Sequence, residues 1–298
     1  MNVTKKQFDV LVCLEAHRGA ISQREIAKQT GISVGSVNKI LSDLGDKGLV
    51  SGGAITESGI EALEPYRVKR AVFLAAGFGS RLIPVTLNTP KPLVRVKGKR
   101  IKDTLLDAVV AAGIEEIYLV RGYLGDQFDA LLKKYPTIKF VENPYYNEAN
   151  NIASAYLARD LIEGSYVFEA DLLLYNPTLI SKYQYSTNYL GVPTKRTDDW
   201  CFITDSAGVI RRLAVGGTDC HHMYGLSYWT HEDGKRLAEH IRAVFDNTPG
   251  GKELYWDEVA LKCYIDQYKV SVRECTFDDI VEIDTFNELK KLDNSYAM

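Results

Sequence analysis

Residues 72–96 read VFLAAGFGSRLIPVTLNTPKPLVRV, and their order of apolar, small and basic side chains sets the fold class. Val72, Phe73 and Leu74 form the short apolar run of a strand buried on both faces. Ala75, Ala76, Gly77, Phe78 and Gly79 then strip most of the bulk from the backbone, so that main-chain N–H groups can meet a polyphosphate directly. Arg81 offers a planar fork for phosphate oxygens, and Lys91, set between Pro90 and Pro92, supplies a point charge on a stiffened segment. The glycines are not followed by Gly-Lys-Ser/Thr, nor by a third glycine at dinucleotide-fold spacing, which excludes both of those phosphate loops.

Beyond this stretch, strand and helix patterns alternate. Ile101, Leu105, Val109 and Val110 mark a helix that Gly113 ends, and Ile117–Val120 reads as a strand. Phe128, Leu131 and Leu132 mark another helix, and Ile138–Val141 a further strand. Such alternation predicts an α/β fold: a mostly parallel, Rossmann-like sheet with helices on both faces and ligands at the carboxyl ends of its strands. Residues 67–298 are assigned to this domain.

Residues 1–66 follow a different pattern. Phe8, Leu11, Val12 and Leu14 lie at helical spacing. Ser22 with Glu25 reads as a capping box before a helix from about residue 23 to 29, and Thr30–Ser33 forms a turn. Val37, Ile40, Leu41 and Leu44 mark a third helix. Gly52 and Gly53 between short apolar pieces suggest a hairpin wing, followed by a closing helix over residues 56–63. The first sixty residues resemble bacterial winged-helix regulators, which implies DNA binding through the third helix by Ser36, Asn38, Lys39 and Ser42. Its lysines and arginines are balanced by acids, from Asp9 to Glu64, so a role in protein contact or homodimer formation stays open.

The chain has 298 residues, a formal net charge of −3 and a 46% hydrophobic composition. These values suit a soluble protein of two domains and give no general attraction to DNA or anionic membrane. Asp9, Glu15 and His17 interrupt the first apolar run, so no signal peptide or membrane insertion is expected, and the expected location is the cytoplasm. Five cysteines without a CxxC pair read as free thiols.

Three further stretches carry candidate site residues. In YVFEAD, residues 166–171, an apolar strand ends in Asp171, whose carboxylate near a triphosphate loop calls for a cation such as Mg²⁺. Glu169 lies two residues earlier, and whether it reaches the site stays open. In IVEID, residues 280–284, Glu282 and Asp284 share one side. The third is the asparagine-rich segment 142–151.

The string L-A-A-G-x-G-x-R followed by T-P-K-P-L resembles the nucleotidyltransferases that make sugar nucleotides and CDP-alcohols from an NTP and a phosphomonoester. The resemblance implies that Leu74, Ala76, Gly77, Phe78, Gly79 and Ser80 bind the nucleotide. It makes Asn143, Asn150 and Asn151 candidates for the base, with turn formation or helix capping as their other use. It places Asp284 beside Asp171 as a metal ligand, with Glu282 as a third. The succession NNxxSxY, DDW, YW, LYWD and EID resembles the bacterial CTP:phosphocholine cytidylyltransferases over residues 68–293. This implies Mg²⁺-dependent transfer of CMP from CTP to phosphocholine, with Arg81 and Lys91 catalytic and Trp200, Tyr255 and Asp257 around the quaternary ammonium. Phosphoethanolamine, 2-aminoethylphosphonate and a sugar 1-phosphate remain alternative acceptors. A DNA-binding regulator that senses CTP or a CDP-alcohol is the alternative from another class.

Overall fold

Helix α1 (Lys5–His17) buries Phe8, Leu11 and Leu14, one stripe at helical spacing. It packs with α2 (Gln23–Thr30) and α3 (Val34–Asp46) in the computed structural model, which describes residues 3–17 and 19–297. Ser22 caps α2 by accepting from the Glu25 N–H at 3.2 Å, but the capping box is only half made. The Glu25 carboxylate accepts from Gln29 Nε2 at 2.8 Å instead. The wing is β1 (Val50–Ser51) and β2 (Ala54–Ile55). Gly52 and Gly53 between them have φ of +59° and +80°, the two left-handed residues that a tight hairpin needs. Helix α4 (Glu57–Leu63) closes this winged helix-turn-helix unit.

The unit extends to Arg67 and also takes in Tyr183–Tyr185. The Tyr185 ring stacks on Tyr66 at 5.3 Å and tilts against Phe8 at 5.3 Å. A division between residues 66 and 67 leaves out this tripeptide. It sits far along the chain, among residues whose local pattern gives no cue to it.

The second unit runs Val68–Lys182 and resumes at Ser186. It starts with β3 (Arg70–Leu74), the small hairpin β4 (Arg95–Val96) and β5 (Lys99–Arg100), then α5 (Ile101–Ala111), β6 (Glu116–Arg121) and β7 (Ile138–Glu142). Residues Gly125–Leu131, expected as an α-helix, form a tighter 3₁₀ run. Next come α6 (Ile152–Ala158), β8 (Ser165–Phe168), β9 (Leu172–Leu174), and the long pair β10 (Asn188–Thr204) and β11 (Ile210–Trp229). The unit ends with α7 (His231–Asn247), the short α8 (Trp256–Glu258), β12 (Ser271–Glu274), β13 (Ile280–Glu282) and α9 (Phe286–Leu292).

The seven-stranded sheet has the order β12-β10-β11-β8-β3-β6-β7. Its pairings are parallel except for the two made by β11 with β10 and β8. Alternation along β3 fixes the layers. Ala71 and Phe73 join one core with Leu105 and Val109 of α5, while Val72 and Leu74 join the other with Ile152 of α6 and Leu237 of α7. Helices therefore cover both faces, and each fully buried strand side chain adds about 1.5–3 kcal/mol of apolar burial. Tyr228 belongs to the first of these cores, and Trp229 and Trp256 to the second.

Outside the main sheet, β9 pairs antiparallel with β13, with Glu282 opposite Leu172. The Ile283 N–H donates to the Asp171 carbonyl at 3.1 Å. This small ladder brings two acidic segments, distant in sequence, to the carboxyl end of β8.

Candidate active site

A cavity of about 580 Å³ opens where β3 and β8 end, with Gly77, Gly79, Arg81 and Lys91 on one wall and Glu169, Asp171, Glu282 and Asp284 beside them. Gly79 adopts φ +62°, and a Cβ there would lie 2.9 Å from Lys91 Cβ, so both conformation and space require glycine. A Cβ on Gly77 would meet nothing within 4 Å, which leaves this backbone open to a ligand. Thr86 Oγ1 donates to the Gly79 carbonyl at 2.8 Å and ties the loop down.

Lys91 is buried, and its Nζ donates to Asp171 Oδ2 at 2.8 Å and Asp284 Oδ1 at 3.2 Å. Burial would push the ammonium pKa down, but the Asp171 and Asp284 carboxylates outweigh it and hold it above the ordinary value. Burial likewise opposes ionisation of Asp171, and the Lys91 charge prevails, so this carboxyl titrates below its usual range. Arg81 is exposed and grips Asp284 with both ends of its fork, at 2.9 and 2.7 Å.

Carboxylate oxygens of Glu169, Asp171 and Glu282 lie within 4.8 Å of one another. Glu282 is pushed well up by burial and then by the negative charge of Asp171 and Asp284; Glu169 is raised by burial and then by Asp257 and Asp171. Asp171 Oδ1 is buried with no hydrogen-bond partner among the described residues. An orphaned oxygen amid converging carboxylates is the chemistry of a hard divalent cation, so this donor set fits Mg²⁺. Asp284, expected as the second ligand, lies in the same cavity with its oxygens on Arg81 and Lys91, whereas Glu169 converges with the acids. The two-residue period of Glu169 and Asp171 was the only sequence signal for that.

Behind the acids lies Lys102 of α5, fully buried, which donates to the Glu169 carbonyl at 3.1 Å and sits 4.5 Å over the Phe73 ring. Burial pushes its pKa down to about 7 against the pull of Asp171 and Glu169. Nothing in the sequence marked this lysine, because it falls on the apolar face of an amphipathic helix.

Trp200, Tyr255 and Asp257 line the same cavity, joined by Asp199 and Glu258. The Trp200 and Tyr255 rings meet edge to face at 5.7 Å. Asp257 Oδ1 accepts from the Tyr189 hydroxyl at 2.5 Å. Burial lifts the Asp257 pKa to about 7, and the Tyr189 bond only partly opposes the rise.

A smaller pocket of about 190 Å³ adjoins the loop, lined by Leu74, Ala76, Gly77, Asn143, Tyr146, Asn150 and Asn151 among others. Its asparagine side chains make bonds within the protein. Asn143 donates to Ser154 Oγ at 3.0 Å and accepts from the Tyr145 N–H at 2.8 Å. Asn150 donates to the Glu253 carbonyl at 3.1 Å, and Asn151 to Glu169 Oε1 at 3.1 Å. Asn151 precedes α6 but makes no side-chain cap on it. Phe78 is exposed at the rim, against Tyr123 and Tyr146, and Ser80 lines the larger cavity.

Comparison with known proteins agrees with this geometry. A nucleotidyl transferase family model matches residues 70–185, and a winged helix-turn-helix DNA-binding family model matches residues 4–51. The chain is 38% identical over 230 residues to 2-aminoethylphosphonate cytidylyltransferase of Lancefieldella rimae, covering 76% of this chain and 93% of that protein. It is 32% identical to choline-phosphate cytidylyltransferase of Haemophilus influenzae, covering 73% and 93%. The solved structure of CTP:phosphocholine cytidylyltransferase from Streptococcus pneumoniae superposes with a TM-score of 0.71 at 30% identity, covering 77% and 99%.

Proposed function

The chain belongs to the nucleotidyltransferase family, among its cytidylyltransferases, and from that premise we propose that it transfers CMP from CTP to a small zwitterion with a phosphonate or phosphate at one end and a primary ammonium at the other. One observation carries the choice of acceptor. Besides the phosphate loop and the acid cluster, the cavity lining offers two aromatic rings, Trp200 and Tyr255, and two carboxylates, Asp199 and Asp257, while the oxygens of Glu258 are taken by Lys262 Nζ and the Tyr255 N–H. A quaternary ammonium needs enclosing ring faces, whereas a primary ammonium needs acceptors for three N–H bonds, and carboxylates supply them. The other indoles of the region, Trp229 and Trp256, are fully buried in the core and present no face to the cavity. 2-Aminoethylphosphonate is therefore the preferred acceptor. Phosphocholine is the second reading, favoured by the right-angled Trp200–Tyr255 corner.

The acceptor oxygen is already anionic and needs no general base. The protein's task is to align it with the α-phosphorus and to neutralise charge on the departing pyrophosphate. In this reading the Gly77–Gly79 backbone and Arg81 serve the β- and γ-phosphates, and Lys91 the α-phosphate. For Arg81 and Lys91 to do this, each exchanges a carboxylate partner for phosphate oxygens. Asp171, Glu282 and Glu169 would hold Mg²⁺, with Asp284 close by. Bound there, the ion supplies charge neutralisation across the phosphates.

Release of pyrophosphate from CTP, measured with 2-aminoethylphosphonate, phosphoethanolamine, phosphocholine and a sugar 1-phosphate, tests this reading. The aminoethyl compounds should give the highest kcat/KM. Preference for the sugar phosphate would overturn the assignment.

For the winged helix-turn-helix unit the proposed role is DNA contact through α3, where Asn38, Lys39 and Ser42 are exposed.

A further inference from the structure

Asn151 lines both the larger cavity and the smaller pocket, and its side-chain amide is engaged at both ends. Nδ2 donates to Glu169 Oε1 at 3.1 Å, and Oδ1 accepts from the Trp256 N–H at 2.9 Å. That N–H is the first amide of α8, a donor that no helical carbonyl can reach, and Asp257 is the next residue. Neighbouring Asn150 fastens the same segment, with its N–H on the Lys252 carbonyl at 2.8 Å and Nδ2 on the Glu253 carbonyl at 3.1 Å.

The amide cannot be turned over, because its oxygen would then face the Glu169 carboxylate and its NH₂ the Trp256 N–H. Glu169 itself has little room. A Cβ on Gly225 would lie 2.3 Å from Glu169 Oε2, and the Glu169 N–H donates to the Gly225 carbonyl at 2.8 Å. Glu169 Oε1 cannot turn toward a cation without giving up its bond to Asn151, whose other end holds the amide that begins the acceptor segment Tyr255–Asp257.

We propose that Asn151 is a positioning residue that couples occupancy of the nucleotide and metal side to affinity for the acceptor, by linking Glu169 to the segment that carries Tyr255 and Asp257. This rests on the cytidylyl-transfer reading. Coupling of this kind is reciprocal: bound acceptor tightens nucleotide binding by the same factor as nucleotide tightens acceptor binding.

Isothermal titration calorimetry tests it without turnover. The nucleotide is α,β-methylene-CTP with Mg²⁺, in which a carbon bridge blocks departure of the leaving group. The titrant is 2-aminoethylphosphonate, or phosphocholine in a parallel series, added with and without the nucleotide. The ratio of the two affinities is the coupling factor, expected at roughly fivefold or more in the unaltered protein. Asn151→Asp keeps an acceptor for the Trp256 N–H but sets an anion against Glu169, and Asn151→Ala removes both bonds. Both variants should bring the factor close to one. Asn150→Ala, which loosens the segment without touching the Glu169 bond, should weaken acceptor binding in both conditions and keep the factor.

If Asn151→Ala fails to fold by circular dichroism, Asn151→Asp alone carries the comparison. A wild-type factor of one overturns the proposal, as does a factor that survives in the folded Asn151 variants. If the unaltered protein binds neither acceptor in either condition, the transfer reading fails and the coupling falls with it.

Discussion

Lys91 Nζ lies 2.8 Å from Asp171 Oδ2, while the other oxygen of that carboxylate is buried without a hydrogen-bond partner among the described residues. Asp171 thus meets a fixed cation of the protein through one oxygen, and its carboxylate also lies within 4.8 Å of those of Glu169 and Glu282. Asp171→Asn should lower kcat by roughly 100-fold or more. It should also remove the rise in unfolding temperature that Mg²⁺ gives the unaltered protein, about 2.7 kcal/mol of stabilisation at 100 times Kd. Thermal unfolding with and without Mg²⁺ checks this, and an undiminished shift in the variant would place the ion elsewhere.

Acceptor affinity should depend on pH through Asp257, whose pKa burial lifts to about 7. Only the ionised carboxylate attracts an ammonium group, so KM for the acceptor should fall as pH rises toward 7 and level off above it. The slope should approach tenfold per pH unit on the acid side. Asp257→Asn should flatten the profile. Taking the ratio of the two profiles cancels titration of the acceptor's own phosphonate.

Trp200→Ala should discriminate between acceptors. Loss of one ring face costs a quaternary ammonium about 0.5–2 kcal/mol, so kcat/KM for phosphocholine should fall by roughly twofold to thirtyfold. 2-Aminoethylphosphonate, held by carboxylates, should lose less, and the ratio of the two efficiencies should move in its favour. A larger loss for the aminoethyl compound would count against the carboxylate reading.

Deleting residues 1–66 should give a catalytic unit that retains cytidylyl transfer but aggregates more readily. The deletion strips Phe8 and Tyr66 from Tyr185, and the rest of the helical core from Tyr183. Replacing both tyrosines with serine should restore solubility, as read by light scattering. Without the tyrosine finding, the sequence alone would have predicted a freely removable module.

DNA binding by the winged helix-turn-helix unit should show a shallow salt dependence. Its basic residues are matched by acids, and Lys47 and Lys5 are already paired to Asp43 and Asp9. The log–log slope of affinity against salt should be shallower than about −4, corresponding to few phosphate contacts.

What the sequence disclosed was what local pattern encodes. The β3 strand and its loop were legible because apolar run, small residues, arginine and lysine occur within 25 residues, and the layer assignment followed from alternation. The meeting of Asp171 with Glu282 was only implied by a family resemblance, since the β9–β13 ladder that produces it has three residues on each side. Periodicity cannot identify so short a strand. The two-ended use of Asn151 was hidden for a related reason. Its partners are 18 and 105 residues away, and an asparagine beside a helix start reads most simply as a cap. Lys102 broke the pattern of its helix face, and only burial against the acids accounts for it.

The β9–β13 pairing also fixes an order in time. The strand that holds Asp171 in place is completed by residues 280–282, so a growing chain that has reached β12 already possesses the phosphate loop, Lys91 and the main sheet but lacks the acids that close the site. A chain that stops at β12 therefore carries Glu169 and Asp171 but neither Glu282 nor Asp284. Two acids that line the cavity thus join the pair on the β8 side only when one short edge ladder, three residues on each side, is added.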